Sequence, residues 1–131
     1  MYVPNIMDFN HEQLIRIQTM ENEVNSLKTQ LDFIENNILE LNALNESLDA
    51  LEKNKDILVN IGKRVFLPVS ITEKKLIVDV GSSNLVKKNI VETKKIIEDQ
   101  IASLMKAKGN IMKNLEDLQE EMEELINQQT I

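Results

Sequence analysis

Apolar residues in the first third of the chain recur in alternating steps of three and four. Ile17, Met20, Val24, Leu27, Leu31, Ile34, Ile38 and Leu41 occupy the a and d positions of a heptad repeat, the spacing that keeps one stripe of side chains turned toward a partner helix. Asn45 takes the next a position, while Leu44, Leu48 and Leu51 carry the stripe onward along a shifted line. The repeat returns near the other end. Ile90, Ile97, Ile101, Leu104, Ile111, Leu115, Leu118, Met122 and Leu125 fall on a and d, with Lys94 and Lys108 filling two a positions.

Between these segments lies ILVNIGKRVFLPVSITEKKLIVDVGSSNLVKKN, residues 57–89, rich in β-branched residues and punctuated by turn formers. Its pattern predicts four short strands, Ile57–Ile61, Val65–Ile71, Leu76–Val80 and Leu85–Lys88, paired into two hairpins around Gly62-Lys63-Arg64 and Gly81-Ser82-Ser83. Val65, Leu67, Val69 and Ile71 share one face of the second strand, and Leu76, Val78 and Val80 share one face of the third. Pro68 has no N–H for a ladder, so that side of it must face an edge or a bulge. Four short strands with an apolar face are not stable uncovered, and the pattern therefore predicts a partner, or else a fold back onto the chain's own helices.

The chain thus divides into a helical segment 1–56, a strand segment 57–89 and a helical segment 90–131, a single α+β unit. The first helix has two possible caps, Asn5 with Asp8 or Asn10 with Gln13, and closes at Lys53 to Asp56. The second opens on a capping box, Asn89 with Glu92, and continues through Gly109, where local softness is expected. Helices joined by a connection that returns to its start pair antiparallel. Counting outward from the strands leaves the residues before Ile17 overhanging, among them Tyr2, Ile6, Met7, Phe9, Leu14 and Ile15, an apolar group that marks a binding surface.

Composition sharpens this picture. Aromatics make up 3% of the 131 residues and Trp is absent, which suits a long aliphatic seam better than a compact globule. The absence of cysteine removes disulfides and thiolate chemistry and fits a reducing, cytoplasmic setting. No signal peptide is evident, and no apolar run approaches the roughly 20 residues of a membrane span, so a soluble protein with no membrane partner is expected. The net charge of −7 conceals an asymmetry: residues 53–95 carry ten Lys or Arg against four Asp or Glu, leaving the arms acidic.

Little points to catalysis. His11 is the sole histidine and lacks companions for a metal or a proton relay, so neither metal nor cofactor is expected and an enzyme is not. The glycines lie too far apart to cradle phosphate. Lysine pairs at 74–75, 87–88 and 94–95 raise nucleic-acid binding, but only Phe66 offers a ring nearby and the acidic arms oppose a polyanion.

The order helix, two hairpins, helix, together with FLPV at Phe66 to Val69, LIVDVG at Leu76 to Gly81 and LVKK at Leu85 to Lys88, resembles the α-class subunit of archaeal-type prefoldin. That resemblance implies a long antiparallel two-helix coiled coil whose hairpins join an oligomeric β-barrel platform of two α-class and four β-class subunits. It implies an ATP-independent co-chaperone that holds unfolded clients at its coiled-coil tips and passes them to a group II chaperonin. On this view Val65, Leu67, Val69, Ile71, Leu76, Val78, Val80 and Leu85 serve oligomerisation, and Ile6, Met7, Phe9, Leu14, Ile15, Leu125 and Ile126 bind clients. The competing expectation is a coiled-coil scaffold or filament-forming homo-oligomer without client transfer.

Overall fold

The computed structural model describes residues 10–128. They form α1 (His11–Lys53), β1 (Asp56–Gly62), β2 (Val65–Ser70), β3 (Lys75–Asp79), β4 (Leu85–Asn89) and α2 (Ile90–Asn127). The expected helix, two hairpins, helix order is the observed one, with strand ends within a residue of those read from the pattern.

Of the two caps open to the first helix, the described one is Asn10 with Gln13. The Gln13 N–H donates to Asn10 Oδ1 at 2.8 Å, and the Asn10 N–H donates to Gln13 Oε1 at 3.0 Å, so two orphan donors are satisfied reciprocally. The alternative at Asn5 lies outside the described residues. At the second helix the Glu92 N–H donates to Asn89 Oδ1 at 2.7 Å. Here the Glu92 carboxylate binds the Asn89 side-chain amide at 3.1 Å rather than its backbone. Thr93, buried in the first turn, donates from Oγ1 to the Asn89 carbonyl. Gly109 leaves α2 unbroken.

Packing divides the chain into two units. One comprises residues 38–103, with both hairpins. Its core is Leu48, Ile90 and Ile97, against which Leu41, Leu51, Leu76 and Ile101 pack. Asp49 meets Lys94 there, and Leu51 shares a groove with Ile90, so the helix segments run antiparallel. The shifted stripe from Leu44 is resolved by burial: Leu48 is buried whereas Leu44 is exposed. The other unit comprises residues 10–37 and 104–128. Its buried residues are Met20, Ile34, Ile111 and Leu125, all at d positions of the predicted seam, and Glu35 meets Lys108 across it.

Candidate functional site: the hairpin pair

β1 pairs antiparallel with β2, and β3 with β4, as two separate two-stranded sheets. Both hairpins are closed by the same device. In the first, the Asn60 Oδ1 accepts from the Gly62 N–H at 2.9 Å; in the second, the Asp79 Oδ1 accepts from the Gly81 N–H at 2.9 Å. Each glycine has positive φ and is followed by two non-glycine residues in the left-handed region, Lys63 (φ 47°) and Arg64 (φ 63°), then Ser82 (φ 53°) and Ser83 (φ 62°). Two successive left-handed residues match the twist of the flanking strands, which is why two-residue hairpin loops adopt this turn.

Register sorts the side chains onto faces, because directly paired residues lie on the same side of a hairpin. In the first hairpin Ile57 pairs with Val69 and Val59 with Leu67, placing them on one face with Val65. Leu58 pairs with Pro68 and Asn60 with Phe66 on the other, so both faces are largely apolar. A bulge at Ile61 shifts the register ahead of the turn. The Ile71 N–H donates to the Lys55 carbonyl at 2.7 Å, and alternation from that bond turns the Pro68 nitrogen away from β1. Pro68 therefore costs the ladder nothing, in keeping with its expected place at an edge.

In the second hairpin Leu76 pairs with Lys88 and Val78 with Val86, on the face shared with Val80. Ile77 pairs with Lys87 and Asp79 with Leu85 on the opposite face. Leu85 thus does not join Leu76, Val78 and Val80. Of the eight residues expected to serve oligomerisation, Leu76 and Ile71 face inward, Leu76 packing on the helix core and Ile71 lining a groove with Leu51, Leu76 and Ile90. Val69 and Val78 are half-buried, and Val65, Leu67, Val80 and Leu85 are exposed. Sequence pattern alone missed Leu58, Ile61 and Ile77, which are exposed to 65%, 63% and 67%. Their signal was apolarity at both parities of the strand period, the mark of strands covered on both sides.

The expected client surface is placed less uniformly. Ile6, Met7 and Phe9 lie outside the described residues. Leu14 and Ile126 are half-buried, Ile15 is 52% exposed, and Leu125 is buried at 6%. In the same unit Phe33, Met105 and Met112 are exposed apolar side chains that the a and d pattern passes over, Met105 and Met112 lying one heptad apart on α2. Among the described residues no cluster of His, Asp and Glu is placed to hold a metal ion, and no helix is long and apolar enough to cross a membrane.

Paired helices with two β-hairpins between them, the hairpins apolar and largely exposed, define a class of coiled-coil protein with a strand-bearing end. The family model for prefoldin subunits matches residues 17–129, and the chain belongs to the prefoldin family, as an α-type subunit. It is 28% identical over 118 residues to the prefoldin subunit alpha of Methanococcus maripaludis, covering 89% of this chain and 72% of that one. In fold it is similar to the filamentous prefoldin of Methanocaldococcus jannaschii seen by cryo-electron microscopy, with a TM-score of 0.72 at 21% identity, covering 85% of this chain and 95% of that one. The family is of the non-enzymatic chaperone type, and its members form oligomers with other prefoldin subunits.

Proposed function

We propose that this chain is a co-chaperone subunit whose hairpins join those of β-class prefoldin subunits in a β-barrel platform, two α-class chains with four β-class. Its helices then hold non-native proteins and deliver them, without ATP, to a group II chaperonin. The observation that carries this reading is the first hairpin, apolar on both faces and exposed to water in the lone chain. An unshielded surface of that kind calls for a neighbour on each side.

Client capture falls to the apolar groups at the helix ends away from the hairpins in sequence: Ile6, Met7, Phe9, Leu14, Ile15 and Ile126. Leu125 belongs first to the packing between helices and contributes only where that packing opens. Individual apolar contacts are weak and non-directional, so several arms acting together supply avidity and a broad client range.

Co-expression with a β-class subunit, followed by mass measurement and an aggregation-suppression assay, tests the reading. A defined hetero-oligomer that suppresses aggregation is expected. Removal of residues 1–12 should leave assembly intact and weaken suppression; undiminished suppression would refute the capture assignment. A second reading is favoured by the filamentous state of the relative in fold: a homo-oligomeric scaffold without client transfer. A large, stable assembly of this chain alone, inactive toward clients, would select it.

A further inference from the structure

Gly109 sits within α2, where a glycine weakens a helix relative to alanine and no turn or positive φ calls for one. A β-carbon built there would meet nothing within 4 Å, so the position opens outward. Met105 precedes it by four residues and Met112 follows by three, both exposed. Together with Lys108 they make the i, i+3, i+4 and i+7 set that encloses a hole on a helix surface, the place into which a facing helix inserts one side chain. Lys108 is drawn aside, its ammonium 3.4 Å from Glu35. What remains is a hole walled by methionine and floored by bare backbone.

The same unit offers a side chain that fits. Phe33 is 69% exposed and takes no part in the seam. Glu35 meets Lys108, and Leu27 shares a groove with Leu118, so α1 and α2 run antiparallel here and Phe33 stands level with Asn110, the neighbour of Gly109. In an antiparallel pair the residues one step past d on both helices lie on one flank. Glu35, Met105 and Met112 follow Ile34, Leu104 and Ile111 onto that flank, whereas Phe33 precedes Ile34 and lies on the other. No chain can fill its own hole. Copies set side by side, α1 parallel to α1, bring the ring of each to the hole of the next. Charge favours the same match: Lys106 and Lys113 edge the hole, Asp32 adjoins Phe33, and none of the three has an ion pair among the described residues. Methionine sulfur against an aromatic ring adds a favourable contact.

We infer that the hole at Gly109 is a docking site for Phe33 of a second copy of this chain, joining coiled-coil arms side by side. Because ring and hole lie on opposite flanks, the contact is heterologous, and a docked pair still offers one free ring and one free hole. Only helix surfaces take part, so the contact stands or falls separately from hairpin assembly and from client capture.

The chain has no cysteine, so introduced thiols are the only ones. Asn36→Cys and Lys106→Cys each place a thiol three residues from the contact, nearer the hairpins in sequence, and leave ring and hole intact. The two variants are mixed with a short bis-maleimide, and linked pairs are resolved by mass. The expected result is that Asn36→Cys chains link to Lys106→Cys chains in preference to their own kind. Adding Phe33→Ala to the first, or Gly109→Leu to the second, should cut that yield about tenfold or more, as loss of a central buried contact does. Circular dichroism should show Gly109→Leu at least as helical as the wild type, since leucine favours helix and the position is open, so that lost linking is not lost folding. Like-with-like linking at equal yield would overturn the inference, as would linking unchanged by removal of the ring or filling of the hole, or no linking at high chain concentration. Links that vanish when an equimolar β-class subunit is added would overturn it too and assign the hole to that chain. Hairpin assembly and aggregation suppression are untouched by any of these outcomes.

Discussion

Lys94 of α2 donates from its Nζ to the Oδ1 of Asp49 on α1, bridging the helices at an a position that a purely apolar seam would fill. In the other unit Lys108 and Glu35 repeat the relationship at 3.4 Å, two heptads farther along each helix. A lysine at an a position keeps its stem on the seam and sends its ammonium to the rim. Its partner there fixes which residues face each other, at some expense of stability.

The Asp49 hydrogen bond holds the Lys94 ammonium above the ordinary lysine value, with partial burial acting against it and the charges of Asp49, Glu52 and Glu98 adding to it. A raised lysine pKa favours the folded chain below the unfolded value of about 10.4, and that contribution disappears as pH climbs through the folded value. Urea midpoints should therefore be level from about pH 7 to 9 and fall above about pH 10. Asp49→Asn should lower the midpoint at neutral pH and make the alkaline fall shallower. An equally steep fall in the variant would remove Lys94 from the account.

Asn45 interrupts the seam differently. It holds an a position, and its Oδ1 is buried with no hydrogen-bond partner among the described residues. A desolvated, unpaired carbonyl of this kind costs about 1–3 kcal/mol. Asn45→Leu should raise the stability of the helix pair by about 1 kcal/mol or more, read as a higher thermal midpoint, since the leucine joins a stripe already formed by Leu41 and Leu48. An unchanged midpoint would mean that the amide is satisfied by solvent.

The two helices and four strands were legible because their periods, near 3.5 and 2, were clean over long enough windows. Residues such as Ile34, Ile97 and Ile111 fell where the heptad put them. Other features were hidden for identifiable reasons. The face of Leu85 depends on the length of the turn at Ser82-Ser83, and a one-residue difference there would send it to the other side. The inward packing of Leu76 depends on how the hairpin meets Leu48 and Ile90, a tertiary matter with no local signature. The acidic partners of Lys94 and Lys108 lie on the other helix, at a register that α1 alone does not specify. The exposure of the residues proposed for client capture was the least legible, because apolarity at a helix end distinguishes poorly between a residue such as Ile15, which is exposed, and Leu125, which is buried.

The hairpin turns carry strain that sequence exchange should relieve. Ser82 and Ser83 both hold positive φ, and the Asn84 N–H closes the turn on the Gly81 carbonyl at 3.0 Å. Left-handed conformation costs an ordinary L-residue about 1–2 kcal/mol, and Asn-Gly is the pair best suited to these two positions. Replacing Ser82-Ser83 with Asn-Gly changes no charge. It should slow exchange of the Val80 amide, which donates to the Asn84 carbonyl at 3.0 Å, by about 5–30-fold. Unchanged protection would show that β3 and β4 open without unmaking the turn.

Leu76 and the pair Val59 and Leu67 separate two kinds of apolar residue on the hairpins. Leu76 packs on Leu48, Ile90 and Ile97, whereas Val59 and Leu67 pair with each other on a face exposed in the lone chain. Leu76→Ala should cost the chain itself roughly 2 kcal/mol, toward the low end for leucine truncation because the site is only half-buried. Val59→Asp with Leu67→Asp sets two carboxylates opposite each other and should lower the stability of the isolated chain by about 1 kcal/mol or less, well short of the cost of Leu76→Ala, yet prevent assembly with a β-class subunit. The contrast carries the test, because a partner that covers this face must desolvate both carboxylates, a penalty absent while the chain is alone. A double variant that still enters the full complex would mean that this face stays wet after assembly, and the covering strand would have to be sought along Leu58 and Phe66 on the other side.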